Sequence, residues 1–408
     1  MKMQEILNLT DLAKCCGCGA CAAVCPVNAI TMAAKDLGAA YPEVNAELCI
    51  SCGKCQKVCV FQGELERNDG PIAVYAAAST DADLLGRSAS GGVFASLAKG
   101  VIAAGGVVYG CSMEQTQSGL TPMHIGVRTE ADLVKLQGSK YVQSKTYQCF
   151  SEIKTYLKSN TPVFYSGTPC QVSALKRFLK GTDTDKLFTA DVVCHGTPGN
   201  ALFEAYLAWL EKEEKRPITE YLFRDKSRGW GLLAKYRSSA KNKHWETWLK
   251  PECSSYYKLF LESETYRESC YQCPWANTTR VADITLGDYW GIENEHPEYL
   301  AENGGKLSVS KGISVLLVNS ARGEDMVRKF GKDLVLENSD LEYAVKWNKQ
   351  LTGPSTHTAL REELLSVYKK EGYIGIEKLF RKKQGLHYYV RKAKNLLLNW
   401  KIKRNYEQ

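Results

Sequence analysis

Cys15, Cys18, Cys21 and Cys25 stand at the spacing C-x2-C-x2-C-x3-C, with Pro26 next; Cys49, Cys52, Cys55 and Cys59 repeat it without the proline. A doubled run of this kind holds two [4Fe–4S] clusters, and the fourth cysteine of each run ligates the other cluster. The reason is mechanical. Three closely spaced thiolates wrap one cube, and a short helical turn carries the fourth away. Cys15, Cys18, Cys21 and Cys59 are therefore expected on one cluster, and Cys49, Cys52, Cys55 and Cys25 on the second. Gly17, Gly19 and Gly53 let the backbone approach the inorganic sulfides, because they lack a Cβ. Cys16 is a ninth thiol beside a ligand and reads as a bystander. A zinc site or a disulfide scaffold is the alternative use of clustered cysteines, and the doubled spacing disfavours both.

The rest of the chain must position these thiols. At 408 residues, with 44% hydrophobic and 10% aromatic content, it is long enough for two to three domains with a sizeable core. The sixteen cysteines carry metal-ligand spacing, not a disulfide pattern. Met1 to Lys14 has no apolar signal region, and no apolar run reaches the ~18 residues of a membrane span. A cytoplasmic protein is expected, and oxygen-labile clusters point to an anaerobic host. The net charge of +8 resides in the tail: Ile376 to Gln408 holds ten Lys/Arg and two Glu. A basic tail signals a partner, whereas a basic body would have signalled nucleic acid; no nucleic-acid partner is expected.

Residues 1–61 read as a ferredoxin-type 2[4Fe–4S] domain with a hairpin near Ile30 to Val44, and polar residues 62–70 as a linker. An α/β domain follows. Ser90 is expected to cap a helix over Val93 to Ala104. Val107 to Gly110 and Met123 to Val127 read as strands. Two strand–loop–helix units come next: Pro162 to Tyr165 runs into Ser166-Gly-Thr-Pro-Cys170, and Leu187 to Val193 into Cys194-His-Gly-Thr-Pro198. Each loop ends at a helix N-terminus, where free N–H groups favour an anion, and such loops at strand carboxyl ends are where open α/β sheets bind ligands. Residues 221–262 read as a β-rich insertion. In the tail, Leu386, Tyr389, Val390, Ala393, Leu396, Leu397 and Trp400 make one apolar helical face among lysines. That face can lie on an anionic membrane surface, dock on a partner, or pack on its own domain.

Cys270-x2-Cys273 is a two-point clamp that needs two more ligands for a third cluster. Cys170 and Cys194, at the two βα loops, come side by side if their strands are parallel neighbours. Lone buried cysteines are the alternative. Ser90-Gly-Gly92, Gly138-Ser-Lys-Tyr141, Thr168-Pro-Cys-Gln171, Cys194, Cys270-x2-Cys273 and Ala282-Asp-Ile-Thr-x-Gly287 occur in this order. On these motifs residues 72–320 resemble the coenzyme F(420) hydrogenase/dehydrogenase beta-subunit family. It implies an FAD-binding α/β domain with its own [4Fe–4S] cluster on Cys170, Cys194, Cys270 and Cys273. The implied flavin-binding residues are Ser90, Gly91 and Gly92, then Gly138, Ser139, Lys140 and Tyr141, then Thr168 and Pro169. Gly91 and Gly92 permit close approach, Ser139 and Lys140 can meet phosphate, and Tyr141 offers an aromatic face. The implied regions are 71–155 and 156–335 for the two halves of the flavin domain and 336–408 for a helical basic tail.

The expected function is thus an iron–sulfur flavoprotein oxidoreductase. Electrons would pass between the clusters and FAD, which exchanges hydride with coenzyme F(420) or a similar small carrier. The aromatic insertion resembles a bacterial branch of the family. That keeps open a ferredoxin-dependent reductase of another organic substrate, a sugar-linked one among the candidates, with Arg228 and Trp230 shaping the pocket. A third reading is an electron-relay subunit serving a ferredoxin, hydrogenase or dehydrogenase partner. No catalytic residue is assigned. His195 is either an acid/base or a hydrogen-bonding neighbour of Cys194; Cys111, Cys149 and Cys253 read as packing residues.

Overall fold

The structure is a computed structural model that describes residues 11–241 and 243–406. It is α/β throughout, with a small cysteine-rich module in front, a large mixed sheet in the middle and helices at the end. In the front module, β1 (Ile30–Ala34) and β2 (Ala40–Val44) pair antiparallel. Two short helices, Ala20–Ala23 and Lys54–Val58, follow Gly19 and Gly53, both left-handed.

The large sheet contains β3 (Ala73–Ser79), β4 (Val107–Thr116), β5 (Gly119–Val127), β6 (Val163–Gly167), β7 (Leu187–Val192), β11 (Ile284–Asp288), β12 (Ser314–Val318) and β13 (Leu334–Asn338). Its order is β13-β3-β12-β11-β7-β6-β4-β5. β4, β6, β7 and β11 are mutually parallel neighbours, so their carboxyl ends share one edge. The remaining pairings, β11–β12, β12–β3, β3–β13 and β4–β5, are antiparallel. The strand period of two separates the core into layers. Val107, Tyr109, Val163 and Tyr165 face the helices Phe150–Lys158 and Pro169–Phe178. Val108, Phe164, Phe188 and Ile284 face Val93–Ala103 and Ala321–Phe330.

The run 282–287 staples the sheet. Asp283 Oδ2 accepts from the Thr189 amide (2.8 Å) and hydroxyl (2.6 Å), and Thr285 donates to Asp191 Oδ1 (2.6 Å). Asp191 is fully buried and paired with Arg280 at 2.9 Å. The segment 62–70 is tied down as well: the Asn68 amide donates to the Arg280 carbonyl (2.7 Å), and its side chain to the carbonyl of Ala282 (2.9 Å).

Two local expectations differ. Gly92, at φ 78°, precedes the helix Val93–Ala103 in place of Ser90. Ser90 instead donates to the Ile313 carbonyl at 2.9 Å. Gly91 lies against β3, where a Cβ would sit 2.2 Å from the Ala77 carbonyl oxygen; this close approach turns Ser90 toward β12. The insertion is a three-stranded antiparallel sheet, β8 (Ile218–Leu222), β9 (Ala234–Ala240) and β10 (Lys243–Leu249), in the order β10-β9-β8. Its last part is a helix, Ser255–Leu261, because the Ser254 side chain caps the amide of Tyr257 at 3.2 Å.

Three helices close the chain: Leu360–Glu371, Tyr373–Gln384 and Leu386–Tyr406. No helix among the described residues is long and apolar enough to cross a membrane.

Candidate redox centre and cofactor pocket

In the front module the cysteines ring two cavities. One, of about 30 Å³, is lined by Cys15, Cys16, Cys18, Cys21 and Cys59, with Met32 and Phe61. The other, of about 20 Å³, is lined by Cys25, Cys49, Cys52 and Cys55, with Val27 and Ile30. Cys16 apart, each set takes three cysteines from one run and the fourth from the other. Burial pushes the thiols of Cys15, Cys21 and Cys59 up, the last to about 11. Desolvation disfavours a bare thiolate there, and bound iron would supply the positive charge that makes it stable. Among the described residues, no three cysteine, histidine or carboxylate side chains converge tightly enough to hold a single metal ion. Each ring instead surrounds a space, which fits a cage with thiolates spread around it.

The large sheet assembles a further four. β6 and β7 are parallel neighbours, so Cys170, in the first turn of the helix Pro169–Phe178, stands beside Cys194, just past β7. Cys270 lies in the 3-10 turn Glu268–Gln272, and Cys273 ends it. All four thiols feel one another. Burial first, and then Cys270, Cys170 and Cys273, raise Cys194. Burial lifts Cys270 to about 11 and Cys273 to about 12, with Cys170 adding to both.

Cys16 is buried in a core cluster against which Cys18, Cys170 and Cys273 all pack. Its neighbours Cys170 and Cys18 push its thiol well up. It therefore stands where the first ring meets the cysteines of the large domain.

Arg267 reinforces the same junction. Its Nη1 donates to the Cys15 carbonyl (2.7 Å), its Nε to Gln143 Oε1 (3.2 Å) and its Nη2 to the Ala40 carbonyl. Gln143 in turn donates to the carbonyls of Cys16 (2.9 Å) and Gly17 (3.1 Å). Arg267 is buried, stacks over Tyr41 at 4.6 Å and, among the described residues, forms no ion pair with a carboxylate. Its charge lowers Cys15, Cys18, Cys170 and Cys270. The backbones also touch: a Cβ on Gly199 would lie 2.1 Å from the Gly38 carbonyl carbon.

At the shared carboxyl edge of β4, β6, β7 and β11 lies a cleft with about 1600 Å³ of empty space, open to solvent. Ser90, Gly92, Gly138, Ser139, Lys140, Tyr141 and Thr168 line it, and so do Cys170 and Cys194. Gly91 and Pro169 stand behind this surface. Gly91 donates its amide to the Ser314 hydroxyl (2.9 Å), and Pro169 is the buried first residue of its helix. Lys140 Nζ donates to the carbonyls of Gln137 (2.7 Å) and Lys135 (3.1 Å), and burial lowers its pKa to about 8. Tyr141 has one face covered by Phe260, with ring centres 4.5 Å apart, and its hydroxyl accepts from Arg224 at 3.3 Å.

One cleft residue, His124, carried no sequence signal. His124 Nε2 faces the Ser166 carbonyl (2.8 Å) and Nδ1 faces the Ser144 hydroxyl (2.8 Å). A carbonyl only accepts, so Nε2 carries the proton. Burial drives the His124 pKa down to about 4, which keeps it neutral. Arg224 pairs with Asp288 at 2.8 Å, and Trp230 Nε1 donates to the same carboxylate at 3.1 Å. Trp230 stacks on Trp290, 4.7 Å between rings. Arg228 is exposed and does not line the cleft. His195 lines the cleft with its side chain exposed, and its carbonyl accepts from the Ser355 hydroxyl at 2.6 Å. Cys111 also lines it, whereas Cys149 is buried in the core.

The 4Fe–4S dicluster domain matches residues 14–62. The coenzyme F(420) hydrogenase/dehydrogenase beta-subunit N-terminal model matches residues 74–149, and the C-terminal model matches residues 161–343. The chain belongs to the coenzyme F(420) hydrogenase/dehydrogenase beta-subunit family. Within that family it is an iron–sulfur oxidoreductase that carries its dicluster domain in the same chain. A solved chain of the F(420)-reducing [NiFe] hydrogenase complex from Methanosarcina barkeri, studied by xenon derivatization, is similar at 14% identity with a TM-score of 0.46. The match covers 76% of this chain and 96% of that one. No curated protein matches the chain.

Proposed function

We propose that this protein moves electrons between a redox partner protein and FAD in the cleft, where hydride is exchanged with coenzyme F(420) or a similar carrier. The observation that carries the reading is placement. Cys16 and Cys18 of the front module share a buried cluster with Cys170 and Cys273, and Cys170 and Cys194 line the cleft. Cys170, Cys194, Cys270 and Cys273 would hold a third [4Fe–4S] cluster. Ser90, Gly92, Gly138, Ser139, Lys140 and Thr168 would hold FAD. Bound flavin converts single electrons to hydride, and the protein's task is placement. His124 spends its proton on Ser166 and is a fixed wall. His195 stands exposed on the rim beside Cys194 and would be the proton acceptor there.

A second reading has one observation in its favour. The insertion supplies Arg224 to the cleft wall and Trp230 to the Trp290 stack, which suits a ferredoxin-dependent reductase of another organic substrate. Anaerobic purification with iron, sulfide and flavin quantified tests the shared core of both readings. About twelve irons per chain, four for each of three clusters, and one FAD are expected. Eight irons would remove the third cluster, and absence of flavin would remove FAD. Flavin reduction by reduced F(420), set against a panel of other hydride donors, then separates the readings. Turnover of artificial dyes alone would favour a pure relay subunit.

Lys140 gives a pH signature. As an ammonium it attracts FAD phosphates, and it loses that proton as pH rises through about 8. Titration of deflavo-protein with FAD between pH 6.5 and 9.5 is therefore expected to give affinity that falls above about pH 8. Lys140→Ala should bind roughly ten-fold more weakly below that point, the loss of one charge-assisted hydrogen bond, and should lack the pH step.

A further inference from the structure

The last helix, Leu386–Tyr406, is held to the domain by its polar side. It lies against β10, the edge strand of the insertion sheet. The Trp248 amide donates to Asn399 Oδ1 (2.7 Å) and the Lys250 amide to Asn395 Oδ1 (3.0 Å). The Trp248 carbonyl accepts from both asparagines, at 2.9 and 2.8 Å. Asn395, Asn399, Tyr388 and Ile402 are buried on this side. The asparagines thus satisfy the main-chain groups that an edge strand leaves unpaired.

At 100° per residue, the opposite side of the helix carries the apolar stripe. Leu386 is 83% exposed, Tyr389 66%, Leu396 64% and Leu397 60%. Val390 and Trp400 are exposed on the same side. From residue 386 to 400 the stripe is about 21 Å long. An apolar stripe turned to water marks an interaction surface. Its borders say which kind. Lys392 flanks one side and Lys394 and Lys401 the other, all exposed. The helix has six Lys/Arg and no acidic residue. A second copy would set lysine row against lysine row. A lipid surface needs no fixed register: headgroups meet cations on both flanks while the stripe enters the acyl boundary. Tyr389 and Trp400 suit the interfacial depth.

We propose that this helix seats the protein on an anionic membrane surface, with Leu386, Tyr389, Val390, Leu396 and Leu397 entering the lipid and the flanking lysines meeting anionic headgroups. The helix lies in the plane of the surface and does not cross it. This inference does not depend on the identity of the hydride carrier.

Sedimentation of the full-length holoprotein with vesicles tests it. Vesicles of phosphatidylcholine with a quarter phosphatidylglycerol should carry the protein down at low salt and release it at high salt, since exposed charges are screened. Pure phosphatidylcholine should not. Leu396→Glu and Leu397→Glu should each weaken binding roughly ten-fold or more, and Lys394→Ala about five-fold, with iron content and far-UV circular dichroism unchanged. Absence of binding to the anionic vesicles, or binding indifferent to the leucine changes, overturns the proposal. So does a dimer in sedimentation velocity, or a complex with an acidic redox protein, that depends on Leu397 while vesicles go unbound.

Discussion

If Cys270 helps hold the proposed third cluster, Cys270→Ser is expected to remove about a third of the iron, from about twelve to about eight atoms per chain, and to disconnect the proposed flavin from the front module. The reasoning starts from placement. Cys270 is close enough to Cys170, Cys194 and Cys273 for the four thiols to raise one another. Serine keeps the size but is a poor iron ligand, so the fold should survive while the ligand set drops to three. The eight cysteines of the two front-module runs are untouched, and reduction of their clusters by dithionite should be unchanged by electron paramagnetic resonance. Flavin reduction from that side should fall to near background, whereas flavin reduction by a hydride donor should persist. Cys253→Ser is the control, because Cys253 lies outside all three cysteine sets and should keep all its iron. Full iron content in Cys270→Ser would count against the third cluster.

The contrast between Cys270 and Cys16 explains what sequence could reveal. Ligand spacing is local, so the two four-cysteine runs and their exchange of fourth members were legible as strings. The two Gly-Thr-Pro loops were legible because proline and glycine punctuate βα turns wherever they occur. The pairing of Cys170 with Cys194 needed one further step, that β6 and β7 be parallel neighbours, which strand–loop–helix order suggests without fixing. Cys16, Gln143 and Arg267 meet across more than a hundred residues of chain, and no periodicity announces such a contact. The Ser90 expectation failed for a related reason: a capping residue was available, but a close approach at Gly91 decided the turn. In the last helix the apolar period was plain, yet a period does not say which face docks. Asn395 and Asn399 settled that by bonding a strand edge about 150 residues away, and they turned the apolar side outward.

On the proposed three-cluster reading, Arg267→Met is expected to shift two cluster potentials and spare the other. Arg267 is the cation at the seam between the Cys15 ring and the Cys170 set, and its field reaches thiols of both. Cluster potential follows net charge and burial. Two unit charges ~8 Å apart interact by about 2 kcal/mol at an effective dielectric of ~20, which is on the order of 80 mV for a one-electron couple. Removing the positive charge disfavours the added electron, so both potentials should move negative. The Cys25, Cys49, Cys52 and Cys55 ring lies beyond the thiols that Arg267 lowers and is the internal reference. The Arg267→Met variant would also leave the carbonyls of Cys15 and Ala40 without their donor, at a cost on the order of 3 kcal/mol for two buried acceptors. Looser docking of the front module is therefore the competing cause of any change. Arg267→Lys separates the two. It keeps the charge and loses the forked geometry, so potentials near wild type with a lowered melting temperature assign the shift to charge. A redox titration followed by electron paramagnetic resonance gives all three potentials in one experiment. Equal shifts in all three centres, or none in the methionine variant, would show that Arg267 acts as a structural clamp alone.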